Sequence, residues 1–255
     1  MKYLVRVAVI LAVAALATLQ ARASVLVNEQ FNYTDGNLTT QSGGTWATYS
    51  GTGTDIQVVS GQAVIDSHNA PDDGISLGGG DYTHGVLYAG FDVNFNAEPT
   101  GSGTYFGLFK DASTFNFFAR VWASNDVSLA NNVKIGIANQ SGTAHYDGDL
   151  TIGTTYRIVV MLDNTGALPV GSLWVNPVLE SDAHIVGTDT PTIANPNITQ
   201  WGLREGTASF GTFENVDNLI IGTTFADVAT IPEPSTIMLI GMSLVGLFAI
   251  RRRRS

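Results

Sequence analysis

The sequence predicts an all-β body, a sandwich or barrel of antiparallel strands, framed by an N-terminal signal peptide and a C-terminal hydrophobic helix. Three observations carry this. Strand-length apolar runs separated by Gly- and Asn-containing turns recur about every 8 to 12 residues, the spacing of sandwiches and barrels. Period-2 alternation appears within them, as in Phe91-Asp92-Val93-Asn94-Phe95, where apolar and polar side chains take opposite faces. No body segment shows the apolar stripe of an amphipathic helix.

The first 23 residues read as a targeting segment. Lys2 and Arg6 give a positive start, Val7 to Ala17 an apolar stretch, and Ala21-Arg22-Ala23 a small-x-small cleavage site, so Ser24 is the expected first mature residue. The body then spans residues 24–230, enough for one domain with a sizeable core. Its expected strands are Val25 to Phe31, Ile56 to Val59, Gln62 to Ile65, Phe91 to Phe95, Tyr105 to Phe109, Phe117 to Trp122, Val133 to Ile137, Tyr156 to Leu162, Ser172 to Val175, Ile198 to Leu203, Ala208 to Phe213 and Asn218 to Thr223. Ser60-Gly61 reads as a tight hairpin turn. Tyr156 to Leu162 is apolar on both faces apart from Arg157, the pattern of a central strand, and Asp163-Asn164-Thr165-Gly166 ends it with turn chemistry.

Residues 231–255 form a third segment. Ile231-Pro232-Glu233-Pro234-Ser235-Thr236 precedes an apolar run from Ile237 to Ile250, then a basic cluster of Arg251, Arg252, Arg253 and Arg254. An apolar helix over 235–250 ending in four arginines suits a segment held in a bilayer with its basic end on the cytoplasmic side. A stable single-pass anchor needs about 20 apolar residues, so the run reads as a short membrane stop. This tail resembles the PEP-CTERM sorting signal of Gram-negative bacteria, with Pro232, Glu233 and Pro234 at the motif positions; the same segment is also known as an ice-binding protein C-terminal domain, a name for the tail. The resemblance implies recognition by an exosortase at the inner membrane, cleavage near the motif, and transfer to the cell surface or extracellular matrix.

A second resemblance covers the body. Phe31-Asn32-Tyr33-Thr34-Asp35-Gly36-Asn37-Leu38 with Gly43-Gly44-Thr45-Trp46, Ser172 to Pro177, and Val216 to Val228 are similar to segments of exported concanavalin A-like, or LamG-like, jelly rolls. The implied fold is two antiparallel sheets with the first and last strands adjacent.

Charge narrows the partners. Seven of the 12 basic residues lie in the terminal segments, which leaves Lys110, Arg120, Lys134, Arg157 and Arg204 against 22 acidic residues between Glu29 and Glu233, a net charge of about −17 for that part of the chain. Such a surface disfavours nucleic acid and favours cations and neutral or basic ligands. The absence of cysteine excludes disulfides, thiolate metal sites and cysteine nucleophiles.

Catalytic patterns are missing. Glycosidases with this architecture carry acids at alternate positions, Glu-x-Asp-x-Glu, so that two carboxyl groups face one cleft. Asp147-Gly148-Asp149 and Glu180-Ser181-Asp182 are only pairs, in turn-like settings, and Glu214 and Asp217 fall on opposite faces of a strand. His68, His84, His145 and His184 have no ligand spacing, and Gly-x-Ser-x-Gly is absent. No cofactor is expected, apart from calcium as a structural ion. Its candidate ligands are Asp72 and Asp73 with Asp81, Asp147 with Asp149, and Glu29 with Asp217 from the first and last strands; none fits an EF-hand loop. Solvated turn acids are the plainer reading of each.

Sugar rings stack on aromatic side chains while their hydroxyls take hydrogen bonds. Trp46, Tyr49, Tyr82 and Tyr146, in polar Gly-rich stretches, are the ligand candidates, whereas Trp174 and Trp201 sit in apolar strand patterns and read as core. Threonines follow no fixed repeat, which argues against an ice-binding array. The sequence thus points to a non-catalytic exported surface or matrix protein that binds glycan or packs structurally into extracellular polysaccharide. A glycan-active hydrolase or lyase and a self-associating coat protein are the alternatives.

Overall fold

The computed structural model describes residues 25–66, 71–113, 115–125, 129–206 and 213–229. The expected signal peptide with Ala21, Ala23 and Ser24, His68, residues 208–212 of an expected strand, and the sorting tail lie outside them. The tail residues concerned are Pro232, Glu233 and Pro234 of the motif and Arg251, Arg252, Arg253 and Arg254 of the basic cluster. Among the described residues no helix is long and apolar enough to cross a membrane.

Among the described residues sixteen strands form two antiparallel sheets, as in a jelly roll. The nine-stranded sheet holds β1 (Val25–Glu29), β2 (Gly36–Asn37), β4 (Gln57–Val59), β5 (Gln62–Ile65), β7 (Val86–Phe95), β12 (Thr155–Asp163), β13 (Val170–Val175), β14 (Ile185–Val186) and β16 (Glu214–Gly222). Its order is β14-β13-β12-β7-β16-β5-β4-β2, with β1 also on β16. The seven-stranded sheet holds β3 (Trp46–Ser50), β6 (Asp72–Ser76), β8 (Thr104–Asp111), β9 (Phe117–Asn125), β10 (Asn132–Ala138), β11 (His145–Thr151) and β15 (Ile198–Leu203), in the order β11-β10-β9-β8-β15-β6-β3. Two short helices complete the described chain, α1 (Leu38–Gln41) and α2 (Phe225–Ala229).

Side-chain alternation builds the core. On β10, Val133, Ile135 and Ile137 point between the sheets, while Lys134, Gly136 and Ala138 point out. At the centre, Trp201 packs against Phe91 at 5.7 Å and Phe109 at 4.9 Å between ring centroids. Ser60 and Gly61 both take positive φ, 52° and 78°, as a two-residue hairpin between β4 and β5 requires. The first and last strands are neighbours, with Val25 opposite Gly222 and Glu29 opposite Leu219.

β12 is central, between β7 and β13. Ile158, Val160 and Leu162 join the main core, while Val159 and Met161 turn outward. Helix α2 covers them, forming a second apolar cluster of Tyr88, Val159, Trp174, Ile220, Phe225 and Val228. Trp174 is buried, as its strand pattern predicts, but beneath this helix rather than between the sheets. The helix is clamped from below. Arg157 donates from Nε and Nη2 to the Val228 carbonyl oxygen at 3.1 and 2.7 Å, and from Nη1 to the Asn218 carbonyl and to Asp92 at 2.8 and 3.2 Å. The folded body is therefore pinned by a contact at Val228, close to the start of the tail.

Candidate functional site

The outer face of the seven-stranded sheet, turned away from the core, gathers aromatic and basic side chains from β3, β8, β9 and the end of β15. The register sets them side by side: Tyr105 lies opposite Trp122 and Lys110 opposite Phe117. Tyr105 is 5.3 Å from Trp122 and 6.0 Å from Phe117, which stands 6.0 Å edge-on to Tyr49, giving a continuous row of rings. Tyr49 lies across two glycines on neighbouring strands. A Cβ on Gly74 would come within 3.1 Å of its ring, and one on Gly202 within 2.9 Å, so only glycine leaves room for the flat ring.

Cations border the rings. The Arg120 and Arg204 guanidinium carbons stand 4.8 and 4.3 Å from the centre of Tyr105, and Lys110 Nζ 5.2 Å from that of Tyr49. Lys134 points out from the same face, so four of the five body cations share it. Arg120 donates through Nη2 to the Gln140 carbonyl, Arg204 through Nη1 to Thr104 Oγ1 at 2.7 Å, and Lys110 to the Asp111 and Ser113 carbonyls at 2.9 Å. Burial lowers the Arg120 pKa; Tyr105 and Asp189 oppose this, and Arg204 lowers it further.

Several polar atoms here are buried without a hydrogen-bond partner among the described residues: Tyr49 Oη, Arg120 Nε, Trp122 Nε1 and Gln200 Oε1. Buried polar groups are ordinarily paired, so four orphans on one face mark unused bonding capacity. Burial also holds the Tyr49 phenol far above its usual pKa. Asp72 lies beside Arg204 and Tyr49; burial pushes its carboxyl up to about 6, against the pull of Arg204.

The ligand candidates read from the sequence divide. Tyr49 belongs to this face on β3, and Tyr146 lies at its far side on β11, opposite Gly136, with its pKa raised to about 12 by burial. Both sit on strands rather than in loops. Trp46 is interior: it is 1% exposed, stacks on Phe31 at 5.7 Å and donates from Nε1 to Glu29 at 3.0 Å. Tyr82 packs in a loop, its N–H donating to Asn197 and its hydroxyl to the Leu77 carbonyl.

The acid groups also separate. Glu29 accepts from Phe31 N, Tyr33 Oη and Trp46 Nε1, at 2.7, 2.6 and 3.0 Å, and so joins the first strand to the following loop. Asp217 lies near enough for Glu29 to raise its pKa, although burial and Asp92 contribute more. Asp81 does not join Asp72 and Asp73: it accepts from Thr83 N and Oγ1 in its own turn. Asp147 and Asp149 are exposed on β11, not in a turn, with Asp149 opposite Lys134.

Asp72 and Asp73 are on β6 and point to opposite faces. Asp73 is fully buried at the core side, accepts from Thr48 Oγ1 at 2.9 Å, and has an Oδ2 without a partner among the described residues. Burial, with Asp55, Asp72 and Glu205 nearby, pushes its carboxyl up to about 7. Among the described residues no three His, Asp or Glu side chains form a group that could hold a metal ion.

No curated protein sequence matches the chain. Among solved structures, the CBM2 module of the evolved Dit of Lactobacillus casei BL23 phage J-1 is 11% identical, with a TM-score of 0.45 over 78% of this chain and 95% of that one. Domain 4 of AbnA, a GH43 extracellular arabinanase from Geobacillus stearothermophilus in complex with arabinotriose, is 15% identical, with a TM-score of 0.43 over 80% and 96%. A Trypanosoma rangeli sialidase in complex with sialic acid is 11% identical, with a TM-score of 0.44 over 70% of this chain but only 30% of the sialidase. A protein-family profile described as the PEP-CTERM protein-sorting motif matches residues 230–254, so the chain ends in a PEP-CTERM sorting signal that marks it for export and processing by an exosortase.

Proposed function

We propose that the protein is a non-catalytic polysaccharide-binding protein of the bacterial cell surface or extracellular matrix, delivered there by its sorting tail. The observation that supports this most is the row Tyr49, Phe117, Tyr105 and Trp122 on the outer face of one sheet. Rings set side by side on rigid strands suit the apolar faces of successive sugars. A glycan array probed with the full-length chain in detergent tests the reading. Retention on at least one polysaccharide, reduced by Trp122→Ala, is expected; no retention on any polysaccharide overturns it.

A second reading is catalysis at the same face. It rests on Asp72, whose pKa near 6 suits proton transfer, standing beside Tyr49. Release of reducing ends or unsaturated sugars from a broad polysaccharide panel, abolished by Asp72→Asn, would replace binding by turnover.

A further inference from the structure

The outer face of the seven-stranded sheet carries an electrostatic oddity. The body has 21 acids and five bases, yet Arg120 and Arg204 are drawn onto the same ring, Tyr105. Like charges held together cost free energy unless something opposes them. The nearby acids do this only in part. Asp189 is committed to three backbone N–H groups, Asn139, Gln140 and Ser141, at 2.5, 2.9 and 2.7 Å. Asp72 accepts from the Glu205 backbone N–H at 3.1 Å, and its own burial favours the neutral acid. Neither guanidinium has a carboxylate within ion-pair distance among the described residues, in contrast to Arg157 with Asp92 at 3.2 Å.

Unused donors accompany the uncompensated charge. A guanidinium offers five N–H donors, and among the described residues each of these two arginines uses one group, Nη2 of Arg120 and Nη1 of Arg204. Among the described residues Arg120 Nε is buried and unpartnered, and Trp122 Nε1, on the same strand two residues on, is a second orphan donor. Lys110 spends its ammonium on two carbonyl groups, with Asp111 as its acidic neighbour and burial working against its charge. Planar forks at an aromatic ring are the arrangement that binds carboxylate or sulfate oxygens in two-point contacts.

Building on the proposed polysaccharide-binding role, we propose that this face selects an anionic polysaccharide, seating a carboxylate or sulfate of the chain between Arg120 and Arg204 while the sugar rings lie along Tyr105 and Trp122. Selection follows from charge on both sides. The rest of the acidic surface repels a polyanion, so attraction is confined to the one patch where cations collect.

The test compares polygalacturonate, its carboxyl-reduced neutral form and dextran sulfate as probes for the full-length chain in detergent, with EDTA present. At least one of the two polyanions should bind about tenfold or more tighter than the neutral form, the scale of charge-assisted hydrogen bonds. Preference for polygalacturonate or for dextran sulfate identifies the anionic group as carboxylate or sulfate. Arg204→Gln and Arg120→Gln should each remove about a tenfold share of that preference, while Val59→Ser, exposed on the other sheet, should leave it unchanged. The wild-type preference is read without any variant, so a variant that fails to fold does not decide the matter. Equal binding of the neutral form overturns anion selection and leaves the polysaccharide-binding role standing. Binding that EDTA abolishes and the arginine variants do not touch also overturns it, as bridging by calcium. No binding of any probe, together with a blank glycan array, overturns the polysaccharide-binding role itself.

Discussion

Gly90 lies directly beneath Val228: a Cβ at position 90 would fall inside van der Waals contact with the Val228 carbonyl oxygen and within 2.7 Å of Arg157 Nη2. The close approach lets Arg157 reach the last turn of α2 from the sheet. Gly90→Ala should push the helix off its seat and lower stability by about 2 kcal/mol, the usual scale of overpacking. Urea denaturation of the full-length chain measures this.

Removing the clamp should cost more than crowding it. Arg157→Ala leaves Asp92 buried with only the neutral Asn218 Nδ2, at 2.9 Å, donating to its side chain among the described residues, and it frees the Val228 carbonyl. Breaking one side of a buried ion pair costs about 3 to 5 kcal/mol. Replacing both charges together, as in Arg157→Met with Asp92→Leu, should recover part of that loss. A double-mutant cycle in urea reports the difference.

Asp73 sets a pH dependence of unusual sign. Its folded pKa of about 7 exceeds the unfolded value of 3.8, so the folded state holds the proton more tightly. Stability from this group is fully present below the unfolded value and is lost as pH rises toward 7. Asp72, raised to about 6, adds in the same direction. Asp73→Asn keeps an acceptor for Thr48 and removes the buried charge, and should stabilise by about 2 kcal/mol near pH 8 with little change near pH 3.5. Thermal melts across that range decide it, and equal gains at the two ends would contradict the assignment.

Glu29 should be sensitive to loss of charge alone. It accepts three hydrogen bonds, from Phe31 N, Tyr33 Oη and Trp46 Nε1. Glu29→Gln turns one acceptor oxygen into a donor that faces other donors, with an expected loss of about 2 kcal/mol. Trp46→Phe removes only one of the three bonds and should cost less. Guanidinium denaturation ranks the two.

Tyr105 is the hub of the outer face, since Trp122, Phe117, Arg120 and Arg204 all meet its ring. Tyr105→Ala should reduce polysaccharide retention about tenfold or more through loss of stacking and of the placement of both arginines. Trp46→Phe, in the interior, should leave retention unchanged. Affinity electrophoresis on the retained polysaccharide compares the two.

The sandwich is legible in the sequence where one face of a strand is apolar, as in Val133, Ile135 and Ile137, and where a turn needs positive φ, as at Ser60-Gly61. Strands β3, β6 and β11 are not, because Thr48, Asp73 and the run His145 to Asp149 break the alternation with polar side chains. That is why Asp72, Asp147 and Tyr49 read as loop residues. The ring row is illegible for a different reason: Tyr49, Tyr105, Phe117, Trp122 and Arg204 meet only through strand order and register. One signal was available. With so few cations in the body, Lys110, Arg120 and Lys134 each fall at strand positions out of phase with the buried residues beside them, and so share an outward face.

Strand β16 is the last strand of the body, and it fills a gap in the middle of its sheet, bonded to β7 on one side and to β5 and β1 on the other. Val25 therefore waits for Gly222 before it has its partner. The sheet cannot close without nearly the whole body, and the sorting signal at residues 230–254 begins only a few residues after Gly222. The strand that completes the sheet therefore lies next to the segment that the processing enzyme recognises, and a body lacking it would leave β1, β5 and β7 without their shared partner.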